Sequence, residues 1–318
     1  MLKDRMYYAV KPLLPWSLRI ALRRIVARRI ARRSREIWPI NPAAANPPPD
    51  WPGWPDGKQF AVVLTHDVEG PRGLARCAEL ANREAKLGFR SSFNFIPEGS
   101  YQVGANLRRE LDARNFEIGV HDLKHDGRLY ANREAFRQHA RQINRYLAEW
   151  QAVGFRSGFM YHNLDWLHDL DADYDASTFD TDPFEPQPDA ADTIFPFWVE
   201  SPAGTAARKP GYVELPYTLP QDSTLFMIFQ ESAGTIWKEK VDWLVRQGGM
   251  VLVNVHPDYL HLGHATPAGG ITVMDHYVNL LGYLKDTYPG AYWHALPREV
   301  AAYVRAWKKI APALPSAQ

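Results

Sequence analysis

The chain has 318 residues, of which 46% are hydrophobic, enough to bury a sizeable core, so disorder of the whole chain is excluded. Its single cysteine, Cys77, excludes an internal disulfide framework and a cysteine-rich metal cluster, so any metal must be held by His, Asp or Glu. The net charge of +1 hides an uneven distribution. Residues 1–37 carry eleven Lys and Arg against two acids, a net +9, which leaves −8 for the remainder.

Residues 1–38 are interpreted as a basic helical arm. Apolar residues recur at helical spacing after Trp16, and arginines fill the rest of the helix; the apolar residues are Leu18, Ala21, Leu22, Ile25 and Val26. The pattern predicts an amphipathic helix that contacts an anionic membrane surface through residues 16–35, with Trp16 at the interface. A solvated or internally packed basic helix is the alternative. Nucleic acid is not an expected partner, because no nucleic-acid-binding module accompanies the charge.

The location expected for the chain is cytoplasmic, peripheral at the inner face of the membrane. No stretch is long and apolar enough for a membrane span, and the first forty residues contain no charge-free run suited to a signal-peptide core. Residues 39–58 contain too many prolines for a helix or a central strand and predict an extended, stiff linker. A folded body is therefore expected over residues 59–318. The sequence assigns no oligomeric state.

The body alternates predicted strands with predicted helices. Short apolar runs rich in β-branched residues predict buried strands at residues 59–65, 92–96, 116–120, 154–159, 213–215, 225–229, 250–255 and 291–294. Helical periodicity predicts helices at residues 71–87, 107–113, 133–150, 235–246, 273–285 and 297–309. Residues 185–210 predict a loop, either a lid or an ordinary connection. This alternation predicts an α/β fold with a parallel sheet, and the number of strands favours closure into a (β/α) barrel.

In such barrels the chemistry lies where strands end. Ionisable residues stand at four of these ends: Asp67 and Glu69, His121 and His125, Arg156, and His256. His121 and His125 are four residues apart, so on one helical turn both imidazoles would face the same way. Together with a carboxylate from a neighbouring strand they would bind one divalent metal ion, with Zn²⁺ the expected ion.

These motifs resemble the polysaccharide deacetylase (NodB-homology) family over roughly residues 60–300. Members of that family have a distorted (β/α) barrel and remove acetyl groups from N-acetylated sugars. The family's Thr-Phe-Asp-Asp motif is matched by residues 65–69, Thr-His-Asp-Val-Glu, and its pair of spaced histidines by His121 and His125. Its Arg-x-Pro motif is similar to residues 156–158, Arg-Ser-Gly, and its Leu-x-His motif to residues 253–256.

The resemblance implies a role for each matched residue. Asp67 would be the general base, Arg156 its partner, and His256 the general acid. His121 and His125 would be metal ligands.

One departure from the family leaves the two acids open. Adjacent aspartates are replaced by Asp67 and Glu69, which share a face of an extended chain. We favour Asp67 as base and Glu69 as third metal ligand. The alternative is Asp67 as ligand, with His66 or Glu69 taking the proton. Asp258 is expected to favour the protonated form of His256.

The predicted activity is that of a metal-dependent carbohydrate N-deacetylase. Residues 161–166 and 174–180 resemble the substrate groove of a subgroup of the family associated with surface-polysaccharide biosynthesis. This resemblance implies an N-acetylated saccharide of a surface polysaccharide or a lipid-linked glycan as substrate. Tyr161, Trp166 and Tyr259 adjoin the motifs and are the candidate substrate-binding residues. Two alternatives remain: a non-catalytic carbohydrate-binding homologue, and a metal-free cyclic amide hydrolase on the same fold.

Overall fold

The computed structural model describes residues 16–202, 209–264 and 270–309. Its strands are β1 (Phe60–Val68), β2 (Ser92–Phe95), β3 (Glu117–His121), β4 (Gly154–Arg156), β5 (Tyr174–Asp175), β6 (Phe197–Glu200), β7 (Gly211–Glu214), β8 (Met250–Asn254), β9 (Gly263–His264), β10 (Ile271–Thr272) and β11 (Tyr292–His294). Its α-helices are α1 (Trp16–Arg33), α2 (Pro71–Leu87), α3 (Ala105–Ala113), α4 (Arg133–Trp150), α5 (Thr235–Gln247), α6 (Val273–Thr287) and α7 (Pro297–Trp307).

The main sheet is a curled, mostly parallel sheet in which β1 pairs with three strands, β2, β8 and β11. Its strands run in the order β11-β1-β2-β3-β4-β5-β7-β6, and β8 also pairs with β1. All the pairings are parallel except that of β6 with β7. The segment that follows β7 lies beside β8. The N–H groups of Thr218 and Leu219 both donate to the carbonyl of Leu252 in β8, at 3.0 and 3.1 Å. The result is the distorted (β/α) barrel that the sequence predicts.

Strong local signals explain the accurate boundaries of the long helices. α2 begins with Pro71 at its first turn and ends at Gly88, whose φ of 86° is left-handed. α4 begins after Asn132, whose side chain accepts a hydrogen bond from the N–H of Ala135. Both helices occupy the residues that the sequence predicts, 71–87 and 133–150.

Three predicted elements differ from the structure. Residues 225–229 were predicted as a strand but lie in a seven-residue π-helix, Ser223–Phe229. The prediction failed because a short buried apolar run suits either a helix or a strand. The region from 185 to 210 contains β6, an antiparallel edge strand, at Phe197–Glu200. The fourth strand ends at Arg156, because Phe159 and Met160 adopt left-handed φ values of 57° and 51°.

The basic helix α1 lies against the body through one side only. Ile20 and Ala27 are buried beside Ile228 of the π-helix, and Arg24 Nη2 donates to the carbonyl of Met227 at 2.9 Å. The predicted apolar stripe lies on the exposed part of the helix: Leu18, Leu22, Ile25 and Val26 are 45–54% exposed. The side chain of Trp16 lies outside the described residues. Within the described residues, no helix has the length and hydropathy needed to cross a bilayer.

The proline-rich segment 39–58 lies on the body along its length. Ala44 and Trp54 are buried in the main hydrophobic core, and Trp54 Nε1 donates to the carbonyl of Gly248 at 2.8 Å. The carbonyl of Ala44 accepts a hydrogen bond from the N–H of Ile194 at 3.1 Å. The segment is therefore fixed to the barrel, and the predicted domain boundaries remain a prediction.

Candidate functional site

The strand register places polar residues of neighbouring strands side by side. Asp67 of β1 is in register with Asn94 of β2, and His121 of β3 with Arg156 of β4. On the other side of β1, strand β8 ends at Asn254. The carboxyl end of the sheet, around β1, therefore carries the candidate site.

Asp67 is a buried carboxylate with hydrogen-bond donors at both oxygens. Its Oδ1 accepts from Asn94 Nδ2 at 2.9 Å, and its Oδ2 from Asn254 Nδ2 at 2.7 Å. Arg156 Nη1 lies 3.3 and 3.5 Å from these two oxygens, and it also donates to Thr65 Oγ1 at 2.9 Å. Arg156 is fully buried, so this contact is an ion pair shielded from water.

These donors keep Asp67 ionised. Burial by itself raises the pKa of a carboxyl, but the charge of Arg156 and the donation from Asn94 outweigh it and hold the pKa of Asp67 well below its usual range. Each oxygen of Asp67 accepts from one amide and also faces Arg156 Nη1, so the carboxylate is fixed in place by three side chains.

His121 and His125 converge, but not on a helical turn. His121 ends β3, and the loop after it folds back because Asp122 and His125 take left-handed φ values of 55° and 54°. The two imidazole centroids lie 4.9 Å apart. Gly158 makes room for this loop, since a Cβ there would lie 2.5 Å from Asp122 Oδ2 and 2.8 Å from His125 Cδ2. The glycine found at the position of the family's proline is thus required by the fold of this chain.

One ligand atom each from Glu69, His121 and His125 lies within 4.8 Å of the other two. His121 Nδ1 donates to the carbonyl of Arg156 at 3.1 Å, which leaves Nε2 unprotonated; this buried atom has no hydrogen-bond partner in the described part of the chain. His125 Nε2 is also buried and lies 3.3 Å from Glu69 Oε1. Ligands at about 2.0–2.2 Å from one zinc ion lie within roughly 4.4 Å of one another. A small side-chain adjustment would therefore complete a site for a divalent ion.

The charges of Glu69 and His121 suit metal binding, whereas at His125 burial is outweighed by the Glu69 carboxylate, which raises the pKa of that imidazole. Burial raises the pKa of a carboxyl, yet the contact with His125 and the charge of His256 lower the pKa of Glu69 to about 2. Burial lowers the pKa of His121. A neutral imidazole and an ionised carboxylate are the forms that bind a metal ion.

His256 donates two hydrogen bonds to Asp222, a residue that the sequence did not single out. Asp222 Oδ1 accepts from His256 Nδ1 at 2.7 Å, and Asp222 Oδ2 accepts from the backbone N–H of His256 at 2.8 Å. Burial lowers the pKa of an imidazole, but the Asp222 carboxylate outweighs it and raises the pKa of His256 to about 10. His256 Nε2 lies 3.8 Å from Glu69 Oε1, so a protonated ring faces the candidate metal ligands.

Asp258 was expected to keep His256 protonated; its charge interacts favourably with that ring, but His256 donates its hydrogen bonds to Asp222 instead. The oxygens of Asp258 accept hydrogen bonds from the backbone N–H groups of Glu69 and Gly73, at 2.9 and 3.0 Å. Asp258 therefore caps the start of α2 and fixes the chain that carries Glu69.

His66, the alternative proton acceptor, points away from the site. Its Nδ1 lies 3.0 Å from the carbonyl of Val255 and its Nε2 lies 2.7 Å from Glu84 Oε1, and the residue is fully buried. Successive side chains of a strand lie on opposite faces, so His66 faces the covering helices while Asp67 faces the site. The alternative in which His66 takes the proton is therefore wrong.

Two of the three candidate substrate-binding residues lie at the site. Tyr259 donates to Glu69 Oε2 at 3.2 Å, and its ring lies 5.3 Å from that of His256. Tyr161 lies 6.1 Å from Phe159, whose ring is 4.5 Å from that of His125.

Trp166 instead belongs to a second hydrophobic cluster. It packs against the rings of Tyr130 and Phe136, 6.1 and 5.7 Å away, and the Arg133 guanidinium lies over it at 5.6 Å. Trp166 is half-buried in this cluster, and its role in substrate binding stays a prediction.

Three residues at the site were missed by the sequence reasoning: Asn94, Asn254 and Asp222. A signal existed for the two asparagines, because each is a polar residue inside a buried apolar strand and needs a partner there. No signal marked Asp222, which follows a loop and reaches His256 only through the closure of the barrel.

No protein-family model matches the chain, and no curated protein matches it. Several solved structures do. A putative polysaccharide deacetylase from Mycobacterium smegmatis has a TM-score of 0.57 at 16% identity, over 84% of this chain and 96% of that one. A peptidoglycan deacetylase from Bacillus subtilis has a TM-score of 0.45 at 12% identity, over 79% and 95% of the two chains. A family 4 carbohydrate esterase from Streptomyces lividans has a TM-score of 0.41 at 11% identity, over 75% and 93%.

The likeness to the first of these structures establishes the fold. The chain has the distorted (β/α)-barrel fold of the polysaccharide deacetylases, as the sequence motifs predict. The resemblance to a surface-polysaccharide subgroup stays a prediction.

Proposed function

We propose that this chain is a metal-dependent carbohydrate N-deacetylase. The observation that carries the proposal is the group formed by Glu69, His121 and His125, with the ionised Asp67 on one side and a protonated His256 on the other. This arrangement supplies a metal site, a base and an acid at one strand end of the barrel, which are the requirements for amide hydrolysis.

Each residue would have one task. A divalent ion held by the two histidines and Glu69 would lower the pKa of water towards about 7 and polarise the acetyl carbonyl. Asp67 would take the water proton, held in place by Arg156. His256 would donate a proton from Nε2 to the departing amine, while Asp222 keeps Nδ1 protonated.

The proposed substrate is an N-acetylated saccharide of a surface polysaccharide or a lipid-linked glycan. The sequence resemblance and the shared fold of the putative polysaccharide deacetylase support this class. Tyr161 and Tyr259 adjoin the reacting groups and would stack on or hydrogen-bond to the sugar. Zn²⁺ is the ion to test first, because the ligands are two imidazoles and a carboxylate.

The direct test is acetate release from short N-acetylglucosamine oligomers by protein loaded with Zn²⁺. We expect about one Zn²⁺ per chain, loss of acetate release after chelation, and recovery when Zn²⁺ is restored. Asp67→Asn should retain the metal yet lower kcat by roughly 10²-fold or more, because the base is lost.

The competing functions give different outcomes. Activity that persists in a chelator favours the metal-free hydrolase. Saccharide binding without acetate release, unaffected by Asp67→Asn, favours the non-catalytic homologue. Either outcome contradicts the proposed deacetylase.

We also propose that α1 binds the surface of an anionic membrane. Its exposed apolar residues, Leu18, Leu22, Ile25 and Val26, have no cover among the described residues, and exposed arginines flank them. An apolar stripe bordered by arginines suits a bilayer interface with anionic headgroups. A peripheral membrane location follows from this contact.

Vesicle sedimentation tests the membrane contact. The chain should bind phosphatidylcholine vesicles that contain phosphatidylglycerol and should not bind phosphatidylcholine alone. Arg23→Gln with Arg28→Gln should weaken binding roughly 30-fold, since each arginine near an anionic surface contributes about 1 kcal/mol. Leu22→Ser with Ile25→Ser should weaken it as well, because the buried apolar area is lost.

Leu262→Ser is the matched control for the membrane contact. Leu262 is 42% exposed, close to the 46% of Leu22, but lies outside the arm. Equal binding of all these variants to anionic vesicles would contradict the membrane proposal and leave the deacetylase proposal untouched.

A further inference from the structure

A buried histidine–glutamate pair lies directly behind the candidate site, on the opposite face of β1. His66 and Glu84 are both fully buried, and His66 Nε2 lies 2.7 Å from Glu84 Oε1. Glu84 belongs to α2, which covers this face together with α6. None of the steps proposed for the reaction uses this pair.

The contacts of the pair place a hydrogen on His66 Nδ1. His66 Nδ1 lies 3.0 Å from the carbonyl of Val255, which can only accept, so Nδ1 carries a hydrogen. Glu84 Oε2 accepts from Ser91 Oγ at 2.6 Å, and Glu84 Oε1 accepts from the hydroxyl of Tyr277. Glu84 therefore contacts His66, Ser91 and Tyr277 at once, which fixes the orientation of the His66 ring.

Such a pair does not need to be present for stability. Two apolar side chains of similar volume commonly match or exceed the stability of a buried ion pair, because the desolvation of both charges offsets their attraction. A buried pair at this place calls for another role, and its position suggests one.

The imidazole joins the two strands that carry the proposed base and acid. His66 immediately precedes Asp67 on β1, and Val255 immediately precedes His256 after β8. The backbone contributes one further bond at this level, from the N–H of Val255 to the carbonyl of Thr65 at 3.0 Å. The N–H of His256 then donates to Asp222, which also holds the imidazole.

We propose that His66 is a positioning residue, whose Nδ1–H holds the Val255 carbonyl and so fixes His256 relative to Asp67, with Glu84 fixing the orientation of the His66 ring. This proposal rests on the proposed deacetylase function. His66 faces away from the candidate metal ligands, so it would act through the backbone of Val255. A misplacement of the acid by about 1 Å lowers kcat far more than it changes substrate binding.

The test compares two double variants, one that removes the bond to Val255 and one that keeps it. In both, Glu84→Gln replaces the carboxylate by an amide, whose oxygen can accept from one of the Ser91 and Tyr277 hydroxyls while its NH₂ group donates to the oxygen of the other. His66→Phe removes the donor to the Val255 carbonyl, whereas His66→Asn keeps it, because an asparagine Nδ2 lies where the histidine Nδ1 does. His66→Phe/Glu84→Gln should lower kcat by roughly 10- to 100-fold, the size expected for loss of an orienting hydrogen bond. KM and Zn²⁺ content should stay near those of the natural chain. His66→Asn/Glu84→Gln should recover most of the lost kcat.

A matched control separates positioning from stability. Lys240 of α5 and Asp180 form a fully buried ion pair, with Nζ and Oδ2 2.9 Å apart, between α5 and the segment after β5. Lys240→Met/Asp180→Asn should change the melting temperature without lowering kcat. The positioning role is overturned if this control lowers kcat as much as His66→Phe/Glu84→Gln does. It is also overturned if His66→Asn/Glu84→Gln (the asparagine pair) is as slow as His66→Phe/Glu84→Gln (the phenylalanine pair).

Amide hydrogen exchange at His256 gives a readout that does not need activity. The N–H of His256 should exchange faster in the phenylalanine pair than in the asparagine pair, because its bond to Asp222 depends on the place of Val255. Equal exchange in the two pairs overturns the positioning role even if kcat differs. If the natural chain releases no acetate, the proposed function fails, while the exchange comparison still decides the role of His66.

Discussion

Replacing both metal-ligand candidates, His121→Ala together with His125→Ala, is expected to abolish Zn²⁺ binding and to lower acetate release by roughly 10³-fold or more. The carboxylate of Glu69 would remain as a single protein ligand, and a zinc site needs at least three. Metal ions supply several kcal/mol of transition-state stabilisation, and each 1.36 kcal/mol is a tenfold change in rate. Metal content by elemental analysis and acetate release by a coupled assay are the measurements.

Thermal unfolding supplies an independent readout of the same variant. Zn²⁺ should raise the melting temperature of the natural chain, because a ligand that binds only the folded state stabilises it by mass action. The double variant should show no such rise. His261→Ala is the control, since His261 is a surface histidine paired with Glu79 at 3.1 Å and far along the chain from both ligands. A double variant that still melts higher with Zn²⁺ would place the metal elsewhere.

Replacing Asp222 by asparagine is expected to lower kcat by roughly 10³- to 10⁴-fold, the size seen when an amide replaces the carboxylate that orients a catalytic histidine. Asp222 accepts from both the ring Nδ1 and the backbone N–H of His256, so an asparagine must point its NH₂ group at one of these donors. The ring would turn away or lose its Nδ1 proton, and the acid would no longer be held protonated.

The direction in which Asp222→Asn shifts the pH profile of kcat can also be predicted. Asp222 raises the pKa of His256 to about 10, so the proposed acid stays protonated until the pH approaches that value. Activity should therefore fall on the alkaline side as His256 loses its proton. Without the Asp222 carboxylate the pKa of His256 falls, and the alkaline limb of kcat against pH should move to lower pH.

Asp258→Asn is the control for this shift. Asp258 is a nearby carboxylate, but its oxygens cap α2 rather than holding the His256 ring. It should lower the melting temperature and leave the alkaline limb close to that of the natural chain. If the alkaline limb of Asp258→Asn moves as far as that of Asp222→Asn, Asp222 is not the particular carboxylate that raises the pKa of His256.

Part of the fold could be predicted because its signals are local. α2 and α4 follow the predicted residues, since their caps and apolar spacing lie within the helices themselves. The run 225–229 was mistaken for a strand, because five apolar residues have no periodicity that separates a buried strand from a buried helix. The sequence could not predict which side of α1 is exposed, because an apolar stripe does not reveal whether the rest of the protein or a membrane covers it.

The candidate site divides in the same way. The amino-acid sequence by itself determined which chemical groups stand at the strand ends, because the strand patterns and motifs that locate Asp67, His121, Arg156 and His256 are short-range. Only the tertiary structure decided which groups meet. The left-handed turn at His125 brings two histidines together, and the closure of the barrel gives His256 the carboxylate of Asp222 rather than that of Asp258. Contacts between residues distant along the chain depend on strand register and packing, which no local pattern encodes.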